Sequence, residues 1–560
     1  MEKLFEETGF EPILEKIFKH LDSTTLMSCL SVCKYWNQVV QNPSFLLTWL
    51  KLAKMPENIF QKWKELAMKL QDKVDLTCDF SKGLLWISNF HEINGFLFPE
   101  TVASALGLVR LLEFIASYTN IDLSGEGDNG SSPLHYAAQG GHLEAIKFLA
   151  KLTKNIVSEN KNKTTPIHFG AISGKVEVMK YFQVLGCDLN IPNLDGWTPI
   201  HHAARYGKIE MVKFLTSVIE DIFPPAADGK TALHLAAEYG QHETLEYLMT
   251  LSENPNQGLT SNNTALDGAT PLHFAAEGGH LKCVKLLLPH ASGPDIKKHN
   301  GHTPIHWASS NGHLKILEYF ATFFKNLNAP ISDCGWRPIH YAAFNGHLDI
   351  VKFFCETDQT QANVTIECNN HQLQNHNCKI SPEHLKMSPF YLAAFGGHLD
   401  VLKYLAQFIK DKDQMTSEGV TPYTGAAMKG HLHVMKFLEQ FKVNVNFLND
   451  VGATPIHYAA DSGHLEVLKH LAIQLKHKNM PNQNGYTPLH FAAQNGHHEI
   501  VEYLSDFVDN PNEPTFNAQN LTPLKLASRN KHSKTVKVLL EKICERLETT
   551  SIDIMHTFEN

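Results

Sequence analysis

Long apolar runs, Cys-x2-Cys pairs and clustered basic residues are all missing from this 560-residue sequence. No apolar run approaches the roughly 20 residues that a membrane-spanning helix requires, so we expect no membrane segment. The 10 cysteines are scattered without a disulfide-like framework, which favours reduced thiols in an intracellular, cytoplasmic protein, with nuclear residence also open. The formal net charge of −9 argues against nucleic-acid binding, which needs clustered Lys and Arg.

Sequence motifs of catalysis are missing as well. The chain has no Gly-x-Ser-x-Gly nucleophile elbow, no Gly-x4-Gly-Lys-Ser/Thr phosphate loop and no Cys-x2-Cys pair. The last absence argues against an intrinsic zinc-RING ligase domain. The opening residues, MEKLFEETGFEP, are too acidic and too poor in apolar residues for a signal peptide, so we expect none. The sequence therefore predicts a protein that is not an enzyme and uses no cofactor.

What the chain does contain is one phrase repeated at an almost fixed step. The phrase is a Thr-Pro-apolar-His tetrad, then two small residues, then Gly-His or a variant. Seven of the eleven steps between near-copies are 33 residues, and the others are 39, 34, 51 and 35. Such a period indicates a solenoid rather than a set of globular domains. The near-copies start at Ser132, Thr165, Thr198, Thr231, Thr270, Thr303, Arg337, Ser388, Thr421, Thr454, Thr487 and Thr522.

Each part of the phrase has a mechanical explanation. Thr198 suits a helix N-cap, and Pro199 suits the first helical position, where no N–H is needed. The small pair Ala203-Ala204 lets a neighbouring helix come close. Gly207 ends the helix because glycine takes the left-handed turn without steric cost. Polar dipeptides such as Asp195-Gly196 then favour tight hairpin turns between units.

This pattern resembles the ankyrin repeat, as in DGWTPIHHAARYGKIEMVKFL and NGYTPLHFAAQNGHHEIVEYL. The resemblance implies an all-α solenoid of about 12–13 helix-pair repeats with short hairpin tips, over residues 100–545. A degenerate unit at Thr101–Tyr118 precedes the recognisable tetrads, since terminal repeats are expected to be atypical. We place a long loop insert at 355–387 and a C-terminal tail at 546–560.

Residues 1–50 break the period and resemble an F-box, a module of three short helices. The Leu-Pro opening usual in that family is replaced by Gly9-Phe10-Glu11-Pro12, and the tryptophan expected soon after Asn42-Pro43 is displaced. The resemblance implies docking on a Skp-type adaptor of a cullin-based ubiquitin ligase. The alternative is that these helices only cap the solenoid. The adaptor-binding residues that it implies are Ile13, Leu14, Ile17, Phe18, Leu21, Leu26, Val32 and Trp36. Residues 51–99 are interpreted as a helical linker between the two parts.

The 33 histidines invite a catalytic or metal-binding explanation, but most recur with the repeat. A tetrad imidazole can hydrogen-bond the Thr hydroxyl and nearby backbone, so we assign these histidines to structure. Nine lie in the tetrads, namely His135, His168, His201, His234, His273, His306, His340, His457 and His490. Eight lie in the Gly-His step, namely His142, His280, His313, His347, His398, His431, His464 and His497.

A different group of Cys and His residues occupies the widest gap between repeats. Four of the six could in principle complete a tetrahedral zinc site. Their spacings match no familiar zinc finger, and the Asn and Gln content favours a polar loop. We predict no metal and keep a zinc site as the alternative. The six residues are Cys355, Cys368, His371, His376, Cys378 and His384.

The ankyrin resemblance also implies where a target would bind. Contacts in that family come from the residue before the tetrad Thr and from the two residues after the Ala pair. Aromatic and Arg side chains dominate binding hot spots; the alternative is that each such residue packs on the adjacent tip. The candidates are Trp197, Arg205, Tyr206, Lys230, Glu238, Tyr239, His302, Trp336, Phe344 and Tyr486.

Together these features predict a substrate-recognition subunit of a cullin-based (SCF-type) E3 ubiquitin ligase. The F-box-like helices would bind the adaptor and the repeats would bind an unidentified protein target. The alternative function is an ankyrin scaffold or adaptor without a link to a ligase.

Overall fold

The computed structural model describes residues 99–118, 129–153, 155–251, 265–329, 332–333, 335–366, 386–475, 477–516 and 519–558. The predicted F-box-like domain at 1–50 and the linker up to residue 98 lie outside the described residues, and so do all eight predicted adaptor-binding residues. The chain divides into two compact units, Met1–Leu266 and Asp267–Asn560.

Antiparallel helix pairs account for the described structure of both units, and no strand occurs among the described residues. The all-α fold class predicted from the sequence is thus confirmed. Unit 1 contains the pairs Pro99–Ala105 with Val109–Tyr118, Pro133–Gly140 with Leu143–Leu152, Pro166–Ser173 with Val176–Val184, Pro199–Arg205 with Ile209–Val218, and Ala232–Glu238 with His242–Leu251.

Unit 2 contains eight further pairs and two short 3-10 segments, Leu288–His290 and Gln359–Asn363. Its final helix is much longer than the others. The pairs are Pro271–Glu277 with Leu281–Leu287, Pro304–Ser310 with Leu314–Ala321, Pro338–Phe344 with Leu348–Thr357, Pro389–Gly396 with Leu399–Ala406, Pro422–Met428 with Leu432–Glu439, Pro455–Ser462 with Leu465–Gln474, Pro488–Asn495 with His498–Ser505, and Pro523–Arg529 with Ser533–Phe558.

The start of each first helix follows from the tetrad. Thr198 has extended backbone angles as the N-cap, and its carbonyl accepts the backbone N–H of His201 at 3.0 Å. The Thr198 N–H donates in return to Nδ1 of His201 at 3.0 Å, which completes a reciprocal capping box. Pro199 occupies the first helical position, and Gly207 follows the helix with a φ of 63°. The predicted cap, first turn and stop are therefore confirmed.

Two layers of apolar side chains form the core of each unit. The Ala203-Ala204 pair is fully buried, as predicted, where successive first helices pack against each other. The second helices add one buried apolar face, as Met211, Val212 and Leu215 do in the same repeat. Because neither helix of a pair can bury its apolar face alone, each repeat depends on its neighbours.

Tight turns connect the repeats and are tied to one another. In the Asp195-Gly196 turn, the Gly196 N–H donates to the Asn193 carbonyl at 3.0 Å, and Gly196 has a φ of 75°. The Leu194 N–H donates to the carbonyl of Asn162 in the preceding tip at 2.9 Å. A row of such bonds links successive tips in register.

The loop insert predicted at 355–387 begins later than expected. Cys355 is buried within the helix Leu348–Thr357, and the chain continues through the 3-10 segment Gln359–Asn363. The Ile366 N–H then donates to the Met387 carbonyl at 3.1 Å. The helix persists because its apolar stripe runs on through Phe354 and Cys355, so residues 355–366 belong to the folded repeat.

Candidate functional site

The main chain at the predicted target-contact positions is held by histidines of the preceding repeat. His168 donates from Nε2 to the Trp197 carbonyl at 3.0 Å, and His201 does the same to Lys230 at 3.2 Å. In unit 2, His273 donates to the His302 carbonyl and His306 to that of Trp336, both at 3.2 Å. The tetrad histidines thus perform the structural role predicted for them.

The main chain after each Ala pair is held by a side chain of the following repeat. In the Gly-His step of unit 2, His398 donates from Nε2 to the Phe344 carbonyl at 2.9 Å. Gln241 replaces that histidine in unit 1 and donates from Nε2 to the Arg205 carbonyl at 3.1 Å. Both classes of predicted contact residue therefore project from a fixed backbone, so that only their side chains vary between repeats.

Burial keeps the tetrad imidazoles neutral. Desolvation lowers the pKa of His135, His168 and His201 to about 4. Since Nδ1 accepts the N–H of the capping residue, Nε2 carries the single proton and donates to the next repeat. These histidines have both nitrogens engaged and serve as connectors between repeats.

Arg205 lies at the centre of the predicted contact residues of unit 1. Its guanidinium carbon is 4.5 Å from the ring centroid of Tyr239 and 5.5 Å from those of Trp197 and Tyr206. Tyr206 and Tyr239 remain 45% and 38% exposed. Trp197 also packs against His202, with ring centroids 5.2 Å apart. We call Arg205 with the rings of Trp197, Tyr206 and Tyr239 the Arg205 cradle.

The other two candidates in unit 1 form an ion pair with each other. Lys230 Nζ lies 2.8 Å from the Glu238 carboxylate, and both side chains are largely buried. Asp228 on the hairpin tip approaches the same ammonium at 3.8 Å. All six candidates of unit 1 thus form two adjoining groups, a cation among aromatic rings and a closed ion pair.

For Trp336 in unit 2, the packing alternative describes the structure. Its side chain is only 6% exposed and lies in a cluster with Ile366, Met387 and Tyr391. Its ring centroid is 4.8 Å from that of Tyr341. Trp336 was expected at the surface because it precedes a tetrad, but the residues flanking the insert cover it. Trp336 therefore belongs to the core and packs against the half-exposed ring of Phe344.

Phe344 and His302 lie on either side of this cluster. Phe344 is 36% exposed, packs edge-on against Trp336 with ring centroids 5.8 Å apart, and stacks on Phe395. His302 Nε2 lies 2.9 Å from the Tyr341 hydroxyl, and burial followed by the charge of Lys298 lowers its pKa to about 4. The neutral His302 imidazole and the Tyr341 hydroxyl therefore share one hydrogen bond.

Tyr486 makes no contact with the other candidates of unit 2 among the residues that the structure describes. It is half-buried and packs on His490 and Phe491 of its own repeat, with ring centroids 5.8 and 5.6 Å apart.

Three aromatic residues that pack against the candidates were not predicted from the sequence, namely His202, Tyr341 and Phe395. Phe395 follows the pair Ala393-Ala394, so the position rule applied to it, but its repeat lacks the Thr and His of the tetrad. Tyr341 and His202 precede an Ala pair, a position that faces the same surface and was not considered. An aromatic residue occupies this position in most repeats, and that recurrence could have identified Tyr341 and His202 from the sequence.

Of the six residues in the alternative zinc site, the structure describes only Cys355. Burial raises the pKa of the Cys355 thiol to about 12, which opposes the thiolate form that zinc binds. The other five residues of the predicted group lie outside the described residues. Among the residues that are described, no group of three or more His, Cys, Asp or Glu side chains is placed to hold a metal ion.

Two family models match the chain. The model for ankyrin repeats (3 copies) matches at 101–193, 171–258, 251–329, 290–368, 320–413, 390–480 and 468–550. The F-box-like model matches residues 11–49. No curated protein matches the chain. In the described part of the chain, no helix combines the length and apolar character needed to cross a membrane.

Proposed function

The chain belongs to the ankyrin-repeat family, and on that premise we propose that it is the substrate-recognition subunit of a cullin-based, SCF-type E3 ubiquitin ligase. The repeats bind a protein target, and residues 1–50 bind a Skp-type adaptor. The protein supplies no catalytic group of its own, because ubiquitin transfer is performed by its partners. It works in the cytoplasm, and nuclear residence is compatible with the same role.

The observation that carries this proposal is the F-box-like match at residues 11–49 in the same chain as the repeats. F-box modules connect a protein to the ligase adaptor, and ankyrin arrays bind other proteins. Joining both in one polypeptide raises the effective concentration of the target's lysines near the ligase. Moderate affinity on each side is therefore sufficient.

The target-binding half is supported by the Arg205 cradle and by Phe344. These side chains combine aromatic surface with a cation, the composition that dominates protein-binding hot spots. Their backbones are fixed by hydrogen bonds from neighbouring repeats, so little conformational entropy is lost when they bind a partner.

The adaptor-binding half is tested with the full chain and a purified Skp-type adaptor. We expect a stable complex in size-exclusion chromatography, weakened at least about tenfold in titration calorimetry by Phe18→Ala or Trp36→Ala, since buried aromatic anchors contribute 2 kcal/mol or more. Phe60→Ala and Trp63→Ala make the same changes in the linker and serve as matched controls. If the folded wild-type chain does not bind the adaptor, the scaffold function replaces the ligase function.

A further inference from the structure

The guanidinium of Arg205 lies among aromatic rings, and no described carboxylate forms an ion pair with it. Tyr239 lies closest, at 4.5 Å from the guanidinium carbon to the ring centroid, and Trp197 and Tyr206 follow at 5.5 Å. Neither an ion pair nor a side-chain hydrogen bond of Arg205 occurs among the residues that the structure describes. Its five N–H donors are available to a ligand.

The acidic residue that could have neutralised Arg205 is already engaged. Glu238 follows an Ala pair at the position that Arg205 has in the repeat before, and its carboxylate contacts Lys230 at 2.8 Å. Asp228 approaches the same lysine. The group thus holds two carboxylates and two cations, and both carboxylates lie against Lys230 rather than against Arg205.

The main chain at Trp197 and Arg205 is held by hydrogen bonds from neighbouring side chains. The Trp197 carbonyl accepts from His168 at 3.0 Å, and the Trp197 N–H donates to the Asn193 side chain at 2.8 Å. The Arg205 carbonyl accepts from Gln241. Stacking on aromatic faces orients a planar guanidinium and leaves its N–H edge free for a planar, bidentate acceptor.

From this arrangement we infer that the Arg205 cradle binds a Glu or Asp carboxylate in an acidic, partly apolar segment of the protein that the repeats hold. Apolar side chains beside the carboxylate pack on the exposed rings of Tyr206 and Tyr239. A phosphate is disfavoured, because phosphopeptide sites use clusters of cations, whereas Lys230, the other cation of this group, is paired with Glu238. The inference rests on the target-binding half of the proposed function and names the chemistry of the target.

The test uses the full chain and an array of synthetic twelve-residue peptides. Each peptide has one central Glu among Leu, Phe, Ser and Gly, and is matched with versions carrying Gln, Lys or phosphoserine at that position. We expect Glu peptides to bind at least about tenfold more tightly than their Gln versions by fluorescence polarisation. The preference should shrink as NaCl is raised from about 50 to 500 mM, since exposed charges are screened.

Two variants assign the preference to Arg205. R205Q removes the charge and should abolish the preference for Glu, whereas R205K keeps the charge without the fork and should retain only part of it. The matched control is K429Q, which removes a cation that lies 4.8 Å over the Phe395 ring in unit 2 and should leave the preference unchanged. Circular dichroism checks that each variant is folded. If R205Q is not folded, the inference is judged by whether salt reduces the preference of the wild-type chain for Glu peptides.

Every other result overturns the inference. These results are no binding to any peptide, equal binding of Glu and Gln versions, tighter binding of phosphoserine versions, or a preference that R205Q retains. The assay contains no adaptor, so its outcome is separate from adaptor binding. A chain that binds Glu peptides but not the adaptor would refute the ligase role and leave the inference about the Arg205 cradle standing. A chain that binds the adaptor but no Glu peptide would refute the inference about the Arg205 cradle and leave the ligase role standing.

Discussion

His168 and Trp197 connect two consecutive repeats through a single hydrogen bond, from Nε2 of the imidazole to the Trp197 carbonyl at 3.0 Å. The same imidazole accepts the Thr165 N–H at 3.1 Å. One buried side chain therefore caps its own helix and fixes the backbone beneath a predicted contact residue. A change at His168 should therefore affect both the stability of the repeats and the position of Trp197.

His168→Ala should destabilise the protein by about 3 kcal/mol, because it leaves a buried N–H and a buried carbonyl without partners and opens a cavity. Urea unfolding followed by circular dichroism measures the loss. His290→Ala is the matched control, since His290 is exposed and should change stability by less than about 0.5 kcal/mol. Equal effects of the two substitutions would contradict the connecting role of His168.

The tetrad histidines predict a loss of stability in mild acid. Burial lowers the pKa of His168 and His340 to about 4 and that of His306 to about 3, from an ordinary value of 6.5. Because the unfolded chain binds these protons first, stability is complete above pH 6.5 and falls as the pH drops toward 4, by roughly 1.4 kcal/mol per histidine and pH unit. The urea midpoint should fall steadily between pH 6.5 and 4, and a flat profile over that range would count against neutral buried imidazoles.

The glycine of the Gly-His step should tolerate a methyl group poorly. Gly463 has a φ of 83°, and a Cβ there would lie 2.6 Å from Cε1 of His497, which bonds the Asp461 carbonyl. Gly186 has a similar φ of 77° with nothing within 4 Å, and provides the matched control. Both Gly→Ala changes incur about 1 kcal/mol of backbone strain. Gly463→Ala should lose about 1–3 kcal/mol more in urea unfolding, and equal losses would show that the histidine contact contributes nothing.

Thiol reactivity should separate three cysteines by burial. Desolvation raises the pKa of Cys283 to about 11 and that of Cys355 to about 12, whereas Cys544 is exposed. Since the thiolate is the reactive form, iodoacetamide at pH 7.5 should label Cys544 first and reach the other two only after unfolding. Peptide mass spectrometry follows the labelling. Rapid modification of Cys355 in the folded protein would reopen a ligand role for it.

The repeating part of the fold was predictable from the sequence, because each residue of the tetrad acts within its own turn. Thr198, Pro199 and Gly207 have the roles that their spacing predicts. The residues of the Arg205 cradle were among the contact positions that the ankyrin resemblance implied, but the packing of three rings around Arg205 was not predicted. The burial of Trp336 was not, because the residues that cover it, Ile366 and Met387, flank an insert that follows no repeat period.

Trp336 and Phe344 separate support of the surface from contact with a partner. Trp336→Ala removes a side chain that is 6% exposed and should cost about 3–5 kcal/mol of stability. Phe344 is 36% exposed and packs above it, so Phe344→Ala should cost about 1 kcal/mol or less while weakening any partner that binds this face of unit 2. Urea unfolding measures the first effect. The affinity for a partner, compared between folded variants, measures the effect of Phe344→Ala on binding. A large loss of stability from Phe344→Ala alone would assign the Phe344 ring to the core as well.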